Sequence, residues 1–146
     1  MNVVIAYTLQ YKSLDIYIAG CSSNPKCNNC HNPELWDYNI GQKYSIDLIK
    51  KYIEHFDTLI DKFMIMGGEP LDRDIDDIVN LLEDLQQFNK EIWLFTKYEI
   101  NEIPEEIIRL CHYIKTGKYI PELTTNSNIQ YGIKLATSNQ KIYKIK

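Results

Sequence analysis

A chain of 146 residues, 45% apolar and with a formal net charge of -4, has the size of one domain, residues 1–146, and enough apolar side chains for a real core. The acid excess, with no basic stripe, excludes nucleic acid as the main partner, and no apolar run reaches the length of a membrane span. The start, MNVVIAYTLQYK, lacks the basic leader and cleavage site of a signal peptide, so a cytoplasmic protein is expected; four cysteines in a reducing compartment then argue for metal or catalytic use over disulfides.

In chain order, residues 2–9 and 14–19 look extended and are joined by a short polar turn. A cysteine-bearing loop follows, GCSSNPKCNNCHNPELW, and then a polar stretch to Gly41. Ser45 is a good N-cap for a helix in which Leu48, Ile49, Tyr52, Ile53 and Phe56 recur at helical spacing. Residues 63–66 form a short apolar run of the buried-strand kind, ending in Met66-Gly67-Gly68-Glu69-Pro70. Asp72 and Asp74 favour the start of a second helix, striped by Ile75, Ile78, Val79, Leu82 and Leu85. Residues 92–95 read as a strand, and Pro104 suits the first turn of a helix carrying Ile107, Ile108 and Cys111. Strands are also expected at 113–115, 133–136 and 142–145. In the last of these, Lys141, Lys144 and Lys146 mark a solvated face.

Strands alternating with helices imply βαβ units and an α/β fold with a mostly parallel sheet. The chain is short for a closed eight-fold barrel, so an open, partial βα barrel is expected. Ligands of such sheets bind beyond the carboxyl ends of the strands. The cysteine loop and the glycine loop both follow strands, and they should therefore meet on one face.

Cys21, Cys27 and Cys30 are spaced C-x5-C-x2-C. The C-x2-C half lets two sulfurs reach one metal centre, and three thiolates on a four-iron cluster leave one iron open. Structural zinc is an alternative reading, with His31 or Cys111 as fourth ligand, and three plain thiols are another. Cys111, on the apolar side of a helix, reads as a small buried hydrophobe. His55 and His112 look incidental. In the second loop, Gly67 and Gly68 permit close backbone approach, so that N–H and C=O groups face a ligand's polar end, and Glu69 adds an acceptor for an ammonium group. The plain alternative is a strand-to-helix turn with Glu69 exposed.

Taken together, Cys21, Cys27 and Cys30, the continuation His31-Asn32-Pro33-Glu34, and Gly67-Gly68-Glu69-Pro70 resemble the radical S-adenosylmethionine enzymes, and within them the glycyl-radical-enzyme activases. The short length is similar to that of the activases of anaerobic (class III) ribonucleotide reductases. Ala136-Thr137-Ser138-Asn139-Gln140 with Ile142-Tyr143 is similar to that group's C-terminal Ser-Asn-Gln segment. The first cysteine gap holds five residues where the superfamily usually has three, and the N-terminal segment lacks the glycine-rich, arginine-containing stretch of the group.

The resemblance implies that Cys21, Cys27 and Cys30 ligate three irons of a [4Fe-4S] cluster, and that the methionyl amine and carboxylate of S-adenosylmethionine chelate the fourth. It implies that Gly67, Gly68 and Glu69, in the motif completed by Pro70, hold the amino group, and that the backbone around Asn29 and His31 packs near the adenine. A flavodoxin or ferredoxin would supply the electron. The 5′-deoxyadenosyl radical would take hydrogen from a glycine of the large subunit of an anaerobic ribonucleotide reductase. Thr96, Lys97, Thr116 and Gly117, at the ends of later strands, would contact S-adenosylmethionine or the partner, or serve the structure alone. Two rivals stand beside this reading. One is a radical S-adenosylmethionine enzyme acting on a small molecule, which usually needs extra enclosing elements. The other is a non-enzymatic zinc-binding interaction module.

Overall fold

Leu14, Ile16 and Ile18 alternate with Ser13, Asp15 and Tyr17, and extended backbone sends the two sets to opposite faces. In the computed structural model, which describes residues 1–21 and 33–146, this segment is strand β2 (Ser13–Ile18), and its aliphatic set is fully buried. β2 forms an antiparallel hairpin with β1 (Asn2–Thr8), which also carries the two-residue edge strand β3 (Gln42–Lys43). On its other side β2 pairs in parallel with β4 (Lys62–Gly67), followed in parallel by β5 (Glu91–Phe95) and β6 (Tyr113–Thr116). The tail makes a small hairpin, β7 (Ile129–Gln130) and β8 (Ile133–Lys134), and then β9 (Lys141–Lys144), antiparallel to β6. The sheet order is β3-β1-β2-β4-β5-β6-β9. The fold is mixed α/β, parallel at its centre and antiparallel at its flanks.

Among the described residues, three α-helices connect the parallel strands. In α1 (Ile46–Phe56) the Ser45 hydroxyl accepts from the Leu48 N–H at 3.3 Å. In α2 (Ile75–Gln86) the Asp74 carboxylate accepts from the Asp76 N–H at 3.1 Å, and Asp76 and Asp77 complement the positive end of the helix dipole. Pro104 sits one position earlier than expected, at the N-cap of α3 (Glu105–Leu110). Ile49, Ile78, Leu81, Leu82, Leu85 and Ile107 bury the helices against one sheet face, made by Leu14, Ile16, Phe63, Ile65, Ile92, Leu94 and Ile114. Each fully buried aliphatic side chain contributes roughly 1.5–3 kcal/mol relative to exposure. No helix among the described residues is long and apolar enough to cross a membrane.

Among the described residues, the tail covers part of the second face. Met64, Trp93 and Ile142 pack with Ile133 and Leu135 from the tail. The Trp93 and Tyr113 rings stack at 4.0 Å, and Tyr131 meets Tyr113 edge-on at 5.2 Å. Tyr131 (φ 50) and Gly132 (φ 80) form the two-residue turn of the β7–β8 hairpin, where a left-handed pair matches the strand twist. Asp15 is buried on this face and bonded by the hydroxyls of Thr8 and Ser13; burial pushes its carboxyl pKa up and the two hydroxyls pull it down.

His112 is more than incidental. Its Nδ1 accepts the Ile92 N–H at 3.0 Å and its backbone N–H donates to the Ile92 carbonyl at 2.8 Å, so it ties β5 to the residue before β6. Burial, with the nearby Lys146 charge, holds its pKa below the ordinary value. Cys111 caps α3 in the helix-side core, where burial pushes its thiol up to about 12. It is the small buried hydrophobe that its helical position suggests.

Candidate functional site

The C-terminal ends of β2, β4, β5 and β6 lie side by side, and the loops that leave them are joined by hydrogen bonds. The Gly20 N–H donates to the Leu35 carbonyl at 2.6 Å, fastening together the two stems of the cysteine loop. The Gly68 N–H donates to the Ile18 carbonyl and the Glu69 N–H to the Gly20 carbonyl, each at 3.0 Å. The glycine loop is thus seated directly on the residue before Cys21, which is itself buried. A Cβ at Gly68 would fall 2.1 Å from the Gly20 carbonyl oxygen and 2.8 Å from that of Leu35. Gly67 has φ +136 and passes as close to Ile18. The glycine loop meets the stems of the cysteine loop, at Gly20 and Leu35, and glycine is what lets these backbones approach.

These contacts also decide what the glycine loop offers a ligand. The N–H groups of Gly68 and Glu69 are both donating within the protein. Of the N–H and C=O groups expected to face a ligand, these two N–H groups are thus engaged, and a carbonyl oxygen is the kind of acceptor that suits an ammonium group.

Glu69 is not exposed, as an ordinary turn would leave it. It is 2% exposed, and its carboxylate accepts from the Leu71 N–H (2.9 Å), the Thr96 hydroxyl (2.8 Å) and the Lys97 N–H (2.7 Å). Burial pushes its pKa up, the three donors pull it down, and the Asp72 charge adds a smaller upward push. Asp72 accepts from the Tyr98 hydroxyl at 2.5 Å and faces the Lys97 ammonium at 3.4 Å. Thr96 and Lys97 stand at the expected end of the sheet, and the Thr96 hydroxyl is spent on Glu69. Thr116 is likewise engaged, donating to the Lys141 carbonyl at 3.2 Å. Pro70 is buried at the start of the short turn 70–72.

The Ser-Asn-Gln segment reaches the same end of the sheet. Gln140 accepts from the Ala136 and Thr137 N–H groups and donates to the Gly117 carbonyl, while Asn139 donates to the Lys118 carbonyl. It fastens the tail to the loop after β6.

One row of residues was not legible as part of a site. Tyr17 pairs in register with Met66, and Phe95 with Lys115; all four are half-buried and belong to the face opposite the helices. They form a strip across four parallel strands just below the motif loops. Strict alternation with Ile16, Ile65, Leu94 and Ile114 is the signal that would have found them. Burial raises the Tyr17 phenol pKa, with Asp15 and Glu34 adding to it.

Cys27, Cys30, Asn29 and His31 lie outside the described residues. The chain joins them on either side to the anchored pair Gly20 and Leu35. Three thiolates borne by one loop, with Cys21 buried at its root, are a donor set that fits an iron–sulfur cluster. Cys111 does not fit as a fourth ligand to zinc. It precedes β6 whereas Cys21 follows the parallel β2, so they stand at opposite ends of the sheet, separated by a strand of about 13 Å.

Comparison with known proteins points to an iron–sulfur protein. A family model described as a 4Fe-4S single cluster domain matches residues 12–143. The chain is 30% identical over 115 residues to the anaerobic ribonucleoside-triphosphate reductase-activating protein of Enterobacteria phage T4, covering 75% of this chain and 72% of that protein. It is 26% identical over 140 residues to the protein of the same name from Salmonella typhi, covering 90% of this chain and 87% of that one. The Vibrio cholerae counterpart is 27% identical over 116 residues, 73% of this chain and 74% of its own. No solved structure matches.

Proposed function

Since the chain belongs to the 4Fe-4S single cluster domain family, among the anaerobic ribonucleotide reductase activases of the radical S-adenosylmethionine group, we propose that it cleaves S-adenosylmethionine reductively and installs a glycyl radical on such a reductase. Cys21, Cys27 and Cys30 would hold a [4Fe-4S] cluster, leaving one iron for the amine and carboxylate of S-adenosylmethionine. When bound, the cluster supplies the electron, received from a flavodoxin or ferredoxin, that makes S-adenosylmethionine a source of a hydrogen-abstracting radical. The observation that carries the reading is the junction of the two loops, Gly68 on Ile18 and Glu69 on Gly20, which seats the glycine loop on the residue before Cys21.

The chain's own residues bind, orient and exclude water. The carbonyls of Gly67 and Gly68 would receive the ammonium group, with Glu69 and Pro70 shaping the loop that bears them. By the family resemblance, the backbone around Asn29 and His31 would pack near the adenine. The half-buried row Tyr17, Met66, Phe95 and Lys115 is the surface that the partner's glycine segment meets.

The test is to incubate the reconstituted chain anaerobically with S-adenosylmethionine, a reductant and a purified anaerobic ribonucleotide reductase. The expected result is 5′-deoxyadenosine together with a glycyl radical on the reductase. Release of 5′-deoxyadenosine with no radical on the reductase would move the reading to a small-molecule substrate.

A further inference from the structure

We infer that Glu69 is a positioning residue, whose carboxylate clasps Thr96 and Lys97 at the end of β5 and thereby fixes the Gly67 and Gly68 carbonyls that receive the ammonium group. The inference rests on the function proposed above and gives Glu69 a role other than direct contact with the ligand.

Three observations carry it. First, the β4–β5 register ends at the pair Ile65 and Leu94, whereas the glycine loop continues past it. The Glu69 carboxylate reaches across beyond that point, so a side chain takes over where the ladder stops. Second, a carboxylate accepts from about four directions, and protein donors take three of them at 2.7, 2.8 and 2.9 Å. With Glu69 2% exposed, an ammonium group reaching its oxygens would have to be buried with it. Third, the Thr96 hydroxyl is held in the orientation that the clasp needs. It accepts from the Tyr98 N–H at 3.2 Å and so directs its own proton to Glu69. Asp72, bonded to the Tyr98 hydroxyl and paired with Lys97, braces the same segment from the next turn of the glycine loop.

The experiment compares Thr96→Val, Thr96→Ser, Glu69→Gln and the double variant Thr96→Val/Glu69→Gln by two readouts. One is the affinity of the reconstituted protein for S-adenosylmethionine, at equal iron content. The other is hydrogen exchange at the Leu71 and Lys97 amides in the chain without a cluster. Thr96→Val, which removes one hydroxyl at constant shape, is expected to weaken binding roughly tenfold and to speed exchange at both amides, as loss of one buried hydrogen bond to a charged group would. Thr96→Ser restores both. The double variant binds no more weakly than Glu69→Gln alone, because the two residues act as one unit.

Thr96→Val with unchanged affinity and unchanged exchange would overturn the inference. So would strong loss in Glu69→Gln beside a normal Thr96→Val, which marks direct contact. Failure of the parent protein, with its full iron content, to bind S-adenosylmethionine would overturn the proposed function and the ammonium assignment with it, while exchange at the two amides would still decide whether the clasp exists.

Discussion

Gly68→Ala is expected to lower the melting temperature of the chain by about 10 °C, the equivalent of roughly 3 kcal/mol at the upper end of overpacking costs. The added methyl group would meet Gly20 and Leu35 backbone atoms at 2.1 to 2.8 Å. Backbone held in a sheet-end junction cannot swing aside as a flexible side chain does. The Glu69 N–H would leave the Gly20 carbonyl, the two stems of the cysteine loop would be pushed apart, and iron incorporation would fall with the stability. Gly132→Ala is the control. Nothing stands within 4 Å of a Cβ there, and only its φ of +80 opposes the change, at a cost of about 1 kcal/mol. Thermal melting and iron analysis of the two variants check this. A Gly68→Ala protein that melts with the parent and takes up the same iron would show that the loops need no close approach.

Cys27→Ala is expected to abolish cluster assembly, taking iron and sulfide after anaerobic reconstitution to near zero and S-adenosylmethionine cleavage with it. Two thiolates do not hold a four-iron cluster, and no other cysteine is placed to replace the third: Cys111 stands in the core at the far end of the sheet. Cys111→Ala should keep the full iron content and lose only a little stability, as a small core truncation does. Full iron content and cleavage in Cys27→Ala would remove that residue from the ligand set.

The helices were readable because their signals are local. Ser45 and Asp74 lie beside the groups they cap, and the stripes at helical spacing end up in the core. The parallel centre followed from strands alternating with helices, and with it the meeting of the two loops. Glu69 was harder, since its partners Thr96 and Lys97 are 27 and 28 residues away, and no local pattern separates an exposed turn acid from a buried one with three donors. The short strands β3, β7 and β8 have two residues each, too few for an alternation to register. The row Tyr17, Met66, Phe95 and Lys115 was present as alternation within apolar runs, but only the strand register shows that four separate residues form one strip. His112 gained its role from a backbone N–H twenty residues earlier, a contact that composition cannot announce.

These long-range ties share one purpose in the architecture. Glu69 and Asp72 reach β5, the Gly20 carbonyl receives the glycine loop, and Gln140 and Asn139 hold the tail to the loop after β6. The end of the sheet that bears the motifs is cross-braced strand by strand. A site built on such braces holds its acceptor groups in place before any ligand arrives, so little ordering is left to be done on binding.

The most direct measurement is the electron paramagnetic resonance spectrum of the anaerobically reconstituted, reduced protein, recorded with and without S-adenosylmethionine. A reduced [4Fe-4S] signal that changes when S-adenosylmethionine is added is the predicted result, since it reports an iron open to that ligand. A protein that carries zinc and gives no cluster signal would contradict the proposal and make the cysteine loop a structural site.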